Sequence, residues 1–232
     1  MVEEKEIQTV LNSTWMIFVP FSDRIKSSEV QVDRTVSYPI TFYKKSTNGK
    51  YRIALSANNR NWCQYVFQFA HELGHIICGM KKGDKSNQWF EESLCEGASL
   101  FALERISETW SKSPPYPDWQ SFAIEFKKYK NERIRNSSYP ENFHLASWWE
   151  KNRSLLSKNS SLRKENLWVA ITLLHIIEKD PRAAWSACGW LNHSKSSQIT
   201  SFDNYLEDWK NSCQKIEQKE FVIEVMHAFG FS

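Results

Sequence analysis

The run Trp62-Cys63-Gln64-Tyr65-Val66-Phe67-Gln68-Phe69-Ala70-His71-Glu72-Leu73-Gly74-His75-Ile76-Ile77 sets the reading of the whole chain. Val66, Phe67, Ala70, Leu73, Ile76 and Ile77 recur at intervals of three and four, which predicts a helix with one broad buried face. Asn59 or Asn61 is placed to cap its start and Gly79 its end. Upstream the period is different. Tyr51 to Ala57 alternates at two and reads as a strand, with Ser46-Thr47-Asn48-Gly49 as the hairpin turn before it. Val30 to Val36 and Pro39 to Tyr43 read as two further short strands, and the apolar run Thr14 to Val19, closed by Pro20, as another. Downstream, a polar loop from Met80 to Ser86 leads into a second helix over about Asn87 to Ser107. The segment Ser111 to Pro117 breaks it. The rest reads as helices over about 118–135, 142–157, 163–178, 181–191, 202–216 and 218–228. The expected fold is α+β: a small twisted N-terminal sheet packed on the helix of residues 62–77, then a mainly helical C-terminal part. The expected division is a core over 1–110, holding the strands and the first two strong helices, and a helical subdomain over 111–232.

Composition narrows the function classes. Of 232 residues, 41% are apolar and 25% charged, which excludes bulk disorder and allows a real core without disulfide or metal staples. Thirty basic residues against twenty-seven acidic ones leave a net charge of +3, too even for a nucleic-acid or anionic-membrane footprint. The basic-looking Lys127-Lys128-Tyr129-Lys130 with Arg133 and Arg135 is interleaved with Glu125 and Glu132 and reads as a solvated helix face. Eleven Trp and 14% aromatics point to a bulky core. The longest apolar stretch, Leu167 to Ile177, is interrupted by Thr172 and His175, whereas a bilayer span needs about 20 apolar residues. Met1 to Gln8 is acidic and lacks the apolar core of a secretory signal, so a cytoplasmic location is expected. The five cysteines are odd in number and never spaced C-x-x-C, which suits free thiols in a reducing compartment.

Within the opening helix, His71-Glu72-Leu73-Gly74-His75 is H-E-x-x-H. Residues i and i+4 lie one above the other on a helix, so both imidazoles can reach one ion. Zinc takes nitrogens at about 2.0–2.1 Å in tetrahedral array, and such a pair fills two positions. Glu72, beside the first His, can act as general base toward a water activated by the metal and return the proton to a leaving amine. Two imidazoles and a carboxylate among apolar neighbours are otherwise an expensive polar cluster.

On this motif and the strand before it, the sequence resembles the zincin metallopeptidases over about Tyr51 to Glu104. The resemblance implies zinc-dependent peptide hydrolysis, with peptide substrate pairing along Tyr51 to Ala57 as a cleft edge strand. The metzincin continuation is excluded, because Cys78 and Lys81 stand where its glycine and third histidine would be. No His occurs between His75 and His144, so a nearby third ligand has to be a carboxylate. Asp84, in the loop, is too close in sequence for the chain to turn back. The second helix offers Glu91, Glu92 and Glu96. Trp89, Glu92 and Glu96 are in the register of the gluzincin branch, where a Glu on the following helix completes the site and an acid one turn later orients a ligating His. Glu92 is the expected ligand, with Glu96 as the alternative, resembling the IrrE-like proteins, and Glu91 as a third choice. Glu92 and Glu96, at i and i+4, repel unless a cation sits near them.

Zincins also bring a Tyr, His or Arg from the C-terminal part to the oxyanion. Tyr116, Tyr139, His144 and His193 are the candidates, His144 first, whereas His175 reads as a core histidine with its hydrogen bonds satisfied. A rival function is a catalytically idle zinc module that binds a partner protein, although a purely structural site has no need of Glu72. Hydrolysis of another small amide uses the same water chemistry and stays open.

Overall fold

The computed structural model describes residues 4–21, 29–34, 36–80, 85–193 and 200–232. It is α+β, with a three-stranded sheet near the N-terminus followed by a mostly helical remainder. Helix α1 (Glu4–Phe18) comes first, then strands β1 (Val30–Asp33), β2 (Ile40–Phe42) and β3 (Tyr51–Ala54). Helices α2 (Trp62–Ile77) and α3 (Gln88–Lys112) follow, then α4 (Ala123–Asn136), α5 (Leu145–Lys158), α6 (Arg163–Ile177), α7 (Pro181–Cys188), α8 (Phe202–Ser212) and α9 (Ile216–Ala228).

Two sequence expectations give way here. Thr14 to Val19 is no strand: Thr14 to Phe18 ends α1, and Val19 opens a short 3-10 turn. Ile7, Val10, Leu11, Thr14, Trp15 and Phe18 are buried at intervals of three and four, so the helical stripe wins over the local apolar run. Tyr51 to Ala57 is no edge either. The strand order is β1-β3-β2, with β1 parallel and β2 antiparallel to β3, so both sides of β3 are paired. Beyond it, Leu55 N–H bonds Asp33 and the N–H groups of Ser56 and Ala57 both donate to Gln68 Oε1 at 3.0 Å. The outer strands of the sheet are β1 and β2. The predicted turn does link β2 and β3: Gly49 has φ +80°, and Gly49 N–H bonds Ser46 O at 2.9 Å.

Helix α2 ends as its glycine predicts. Gly79 (φ +91°) donates to Ile76 O, and Met80 N–H donates to His75 O, the pair of bonds of a Schellman stop. Asn61 stands at the N-cap, but its side chain makes no cap bond. Part of the Met80–Ser86 loop, with Asp84, lies outside the described residues. Helix α3 runs from Gln88 to Lys112, five residues beyond the expected Ser107, and is buried along most of its length. It packs on α2, α4 and α6, and a single hydrophobic cluster runs from Ile7 to Phe229, across the 110/111 division. A Cβ built on Gly74 would stand 3.0 Å from Cys95 Cα and Sγ, so glycine at this point lets α3 lie directly against the motif face of α2. None of the described helices is long and apolar enough to cross a membrane.

Candidate metal centre

Where α2 and α3 touch, the two histidines meet three glutamates. His71 Nε2 lies 3.3 Å from Glu92 Oε2, and His75 Nε2 lies 3.8 Å from the same oxygen. The remaining ring nitrogens have carboxylates of their own: His71 Nδ1 to Glu96 Oε2 at 3.2 Å, and His75 Nδ1 to Glu91 Oε1 at 2.8 Å. The outer acids are anchored in turn. Arg133 Nη2 donates to Glu96 Oε1 at 3.3 Å while its guanidinium lies over the Phe67 ring. Asn192 Nδ2 donates to Glu91 Oε2 at 2.8 Å, and Tyr205 donates to Asn192 Oδ1 at 2.8 Å. Glu72, next to His71, receives the Thr41 hydroxyl at 2.8 Å on Oε2.

This donor set fits a divalent cation. Bonds of about 2.0–2.2 Å in a tetrahedron set neighbouring donors roughly 3.3–3.5 Å apart, close to the two Nε2–Oε2 separations. Both nitrogens of each imidazole face carboxylates, and only an imidazolium can donate from both. Burial opposes that charge on His71, but hydrogen bonds to Glu92 and Glu96 outweigh it and push its pKa up to about 10. His75 is raised in the same way, by Glu91 and then Glu92. Burial works against Glu92 too, yet the two histidines and Arg163 hold it below its ordinary value. Glu91 moves the other way, because burial there outweighs His75. A dication in place of the two Nε2 protons would leave the charge of the cluster unchanged.

A second donor is within reach: ligand atoms of His71, His75 and Cys95 lie within 4.8 Å of one another. Sequence reading gave Cys95 no role, since a lone buried cysteine has no local signature. It is fully buried against Gly74, and burial followed by Cys78 pushes its thiol well above the usual range. The thiolate is the ligating form. Glu92, already ionised and facing the cavity, is the better placed donor of the two.

The group opens into a cavity of about 740 Å³. Strand β2 with Tyr38 and Tyr43 lines it, and so does the start of α6 with Arg163 and Asn166. His144 is not part of that lining: it stands exposed just before α5. Tyr116 packs on Trp119, Tyr139 bonds Thr172, and His193 packs on Trp190, so none of these lines the cavity. His175 is exposed rather than core, with Nδ1 2.8 Å from Ile171 O. Among the side chains that do line it, Tyr43 and Arg163 offer polar donors. Burial, then the charges of Glu91 and Glu92, raise the Tyr43 pKa, which keeps the phenol protonated beside the acids. Arg163 makes no ion pair among the described residues. The α4 face is less solvated than its sequence suggested, since Arg133 turns into the site and Lys130 pairs with Glu104 at 3.2 Å.

No protein-family model matches the chain, and neither does any curated protein or solved structure.

Proposed function

We propose that this chain is a zinc-dependent metallopeptidase, with His71, His75 and Glu92 as ligands and Glu72 as general base. The observation that carries the reading is the convergence of both Nε2 atoms on one Glu92 oxygen while both Nδ1 atoms are held by other carboxylates. A bound zinc supplies Lewis acidity, polarising a carbonyl and lowering the pKa of water toward about 7. The protein's own groups do the rest. Glu96 and Glu91 fix the ring orientations of His71 and His75, and Arg133 and Asn192 hold those acids in place. Glu72 takes a proton from the attacking water and hands it to the leaving nitrogen. Tyr43 and Arg163 are the donors on hand for the developing oxyanion. A peptide substrate pairs as an added strand along the free edge of β2, so extended segments are cleaved and stable helices resist.

Glu72→Gln tests this. The amide cannot accept the proton, so hydrolysis should fall by about 10²–10⁴-fold with zinc retained. Equal turnover by the two proteins would refute the role.

One observation favours the rival, a catalytically idle zinc module. Cys95 within reach of both histidines could join Glu92 in a closed four-ligand site, which is the structural pattern. Cys95→Ala separates the two: the enzyme reading predicts undiminished zinc affinity and turnover.

A further inference from the structure

We infer that Thr41 is a positioning residue for Glu72, its hydroxyl deciding which carboxylate oxygen is left to carry the proton. The inference rests on the metallopeptidase reading. Thr41 lies in the middle of β2, opposite Ile53 of β3, so a paired strand holds its side chain. Its Oγ1 is 2.8 Å from Glu72 Oε2 and 2.9 Å from the Glu72 carbonyl oxygen. A hydroxyl has one proton and can donate to only one of these at a time. The ionised carboxylate is the stronger acceptor, so the proton goes to Oε2. Water does not compete well for it, because Thr41 is 8% exposed and Glu72 4%.

With Oε2 taken, Oε1 is the oxygen without a partner among the described residues, on a side chain that lines the cavity. The proton path follows. As water attacks the carbonyl carbon, a C–O bond forms, one water O–H bond breaks, and that proton goes to Oε1. As the C–N bond breaks, the proton leaves Oε1 for the amine nitrogen. Glu72 ends as it began. While Glu72 carries the proton it pulls less on the hydroxyl, which can turn to the carbonyl oxygen at 2.9 Å without moving the side chain. Without the hydroxyl, Oε1 and Oε2 become equivalent bases, and the carboxyl turns about its soft terminal torsion. A proton captured on the oxygen beside β2 is then misplaced for its return.

The test uses the full zinc-loaded chain with Thr41→Val, which keeps the shape and removes the hydroxyl, and Thr41→Ser, which keeps the hydroxyl. Glu72→Gln is the reference. On a peptide that the wild type cleaves, Thr41→Val should lose about 10–100-fold in kcat, the range for a hydrogen bond to a charged group. KM should stay within about twofold and zinc content unchanged, and Ser should restore most of the rate. Unchanged kcat in Thr41→Val overturns the inference, and so does a Ser variant as slow as Val. A wild type that turns over no faster than Glu72→Gln overturns the metallopeptidase reading instead. One readout needs no turnover. In proton NMR of the metal-free chain, the Thr41 hydroxyl should exchange slowly and show a cross-peak to Glu72. A hydroxyl that exchanges as fast as those of exposed threonines overturns the positioning claim by itself.

Discussion

The two faces of α3 are built on opposite principles. On one face, Phe90 enters an aromatic cluster with Trp89, Phe202, Tyr205, Trp209 and Phe229, whose ring centroids lie 5.3–6.2 Å from its own. On the other, Glu91, Glu92 and Glu96 meet two imidazoles, and hydrogen bonds pair each carboxylate with named ring nitrogens. The first face is redundant: dispersion sums over many weak contacts, and losing one ring leaves the others. The second is stoichiometric: each polar contact has one donor and one acceptor, and a missing partner leaves a buried group unpaired. Stability should therefore fail gradually on the aromatic face and metal binding stepwise on the acidic one.

Glu92→Ala should give the largest effect. It removes the oxygen on which both Nε2 atoms converge, so zinc measured by elemental analysis should drop from one per chain to none. Full occupancy after this substitution would show that another donor completes the site. Phe90→Ala comes next. It should cost about 3–5 kcal/mol in denaturant unfolding, while the folded protein keeps its zinc. Lost zinc affinity in that variant would break the separation between the two faces. Glu96→Ala and Glu91→Ala should each weaken zinc binding by roughly 10–100-fold and leave a measurable site, because they orient ligands and do not ligate.

The smallest effect is on pH dependence. In the metal-free chain His71 has its pKa raised to about 10. Its contribution to stability is complete below the unfolded value of roughly 6.5 and is lost as pH rises through about 10. Unfolding of the metal-free protein should become easier across that window, whereas zinc affinity should rise because bound imidazoles must be neutral. Zinc affinity that does not change with pH there would mean that the histidines carry no proton for the metal to displace.

How far the sequence anticipated this arrangement depends on how local each signal is. The positions of His71, His75, Glu92 and Glu96 were readable because helical spacing places i and i+4 together whatever the rest of the chain does. The mainly helical C-terminal part was readable from periodicity for the same reason. Strand order was not, because pairing is decided by segments far apart. Tyr51–Ala54 has the stronger alternation, yet it is the flanked central strand, with Val30–Asp33 and the shorter Ile40–Phe42 on the two edges. Thr41, Arg133 and Asn192 reach the site from residues 41, 133 and 192 through single side-chain bonds that leave no pattern in their own neighbourhoods. His144 is an oxyanion candidate by residue type alone, and its local sequence holds no signal that would place it outside the cavity.

The proposed site is open, with two imidazoles and one carboxylate as its protein ligands. X-ray absorption at the zinc edge of the loaded wild-type chain tests it most directly. Only nitrogen and oxygen scatterers should appear, at about 2.0–2.2 Å, with no difference between wild type and Cys95→Ala. A sulfur scatterer at about 2.3 Å that disappears in Cys95→Ala would contradict it, and would make the site a closed thiolate centre instead of a hydrolytic one.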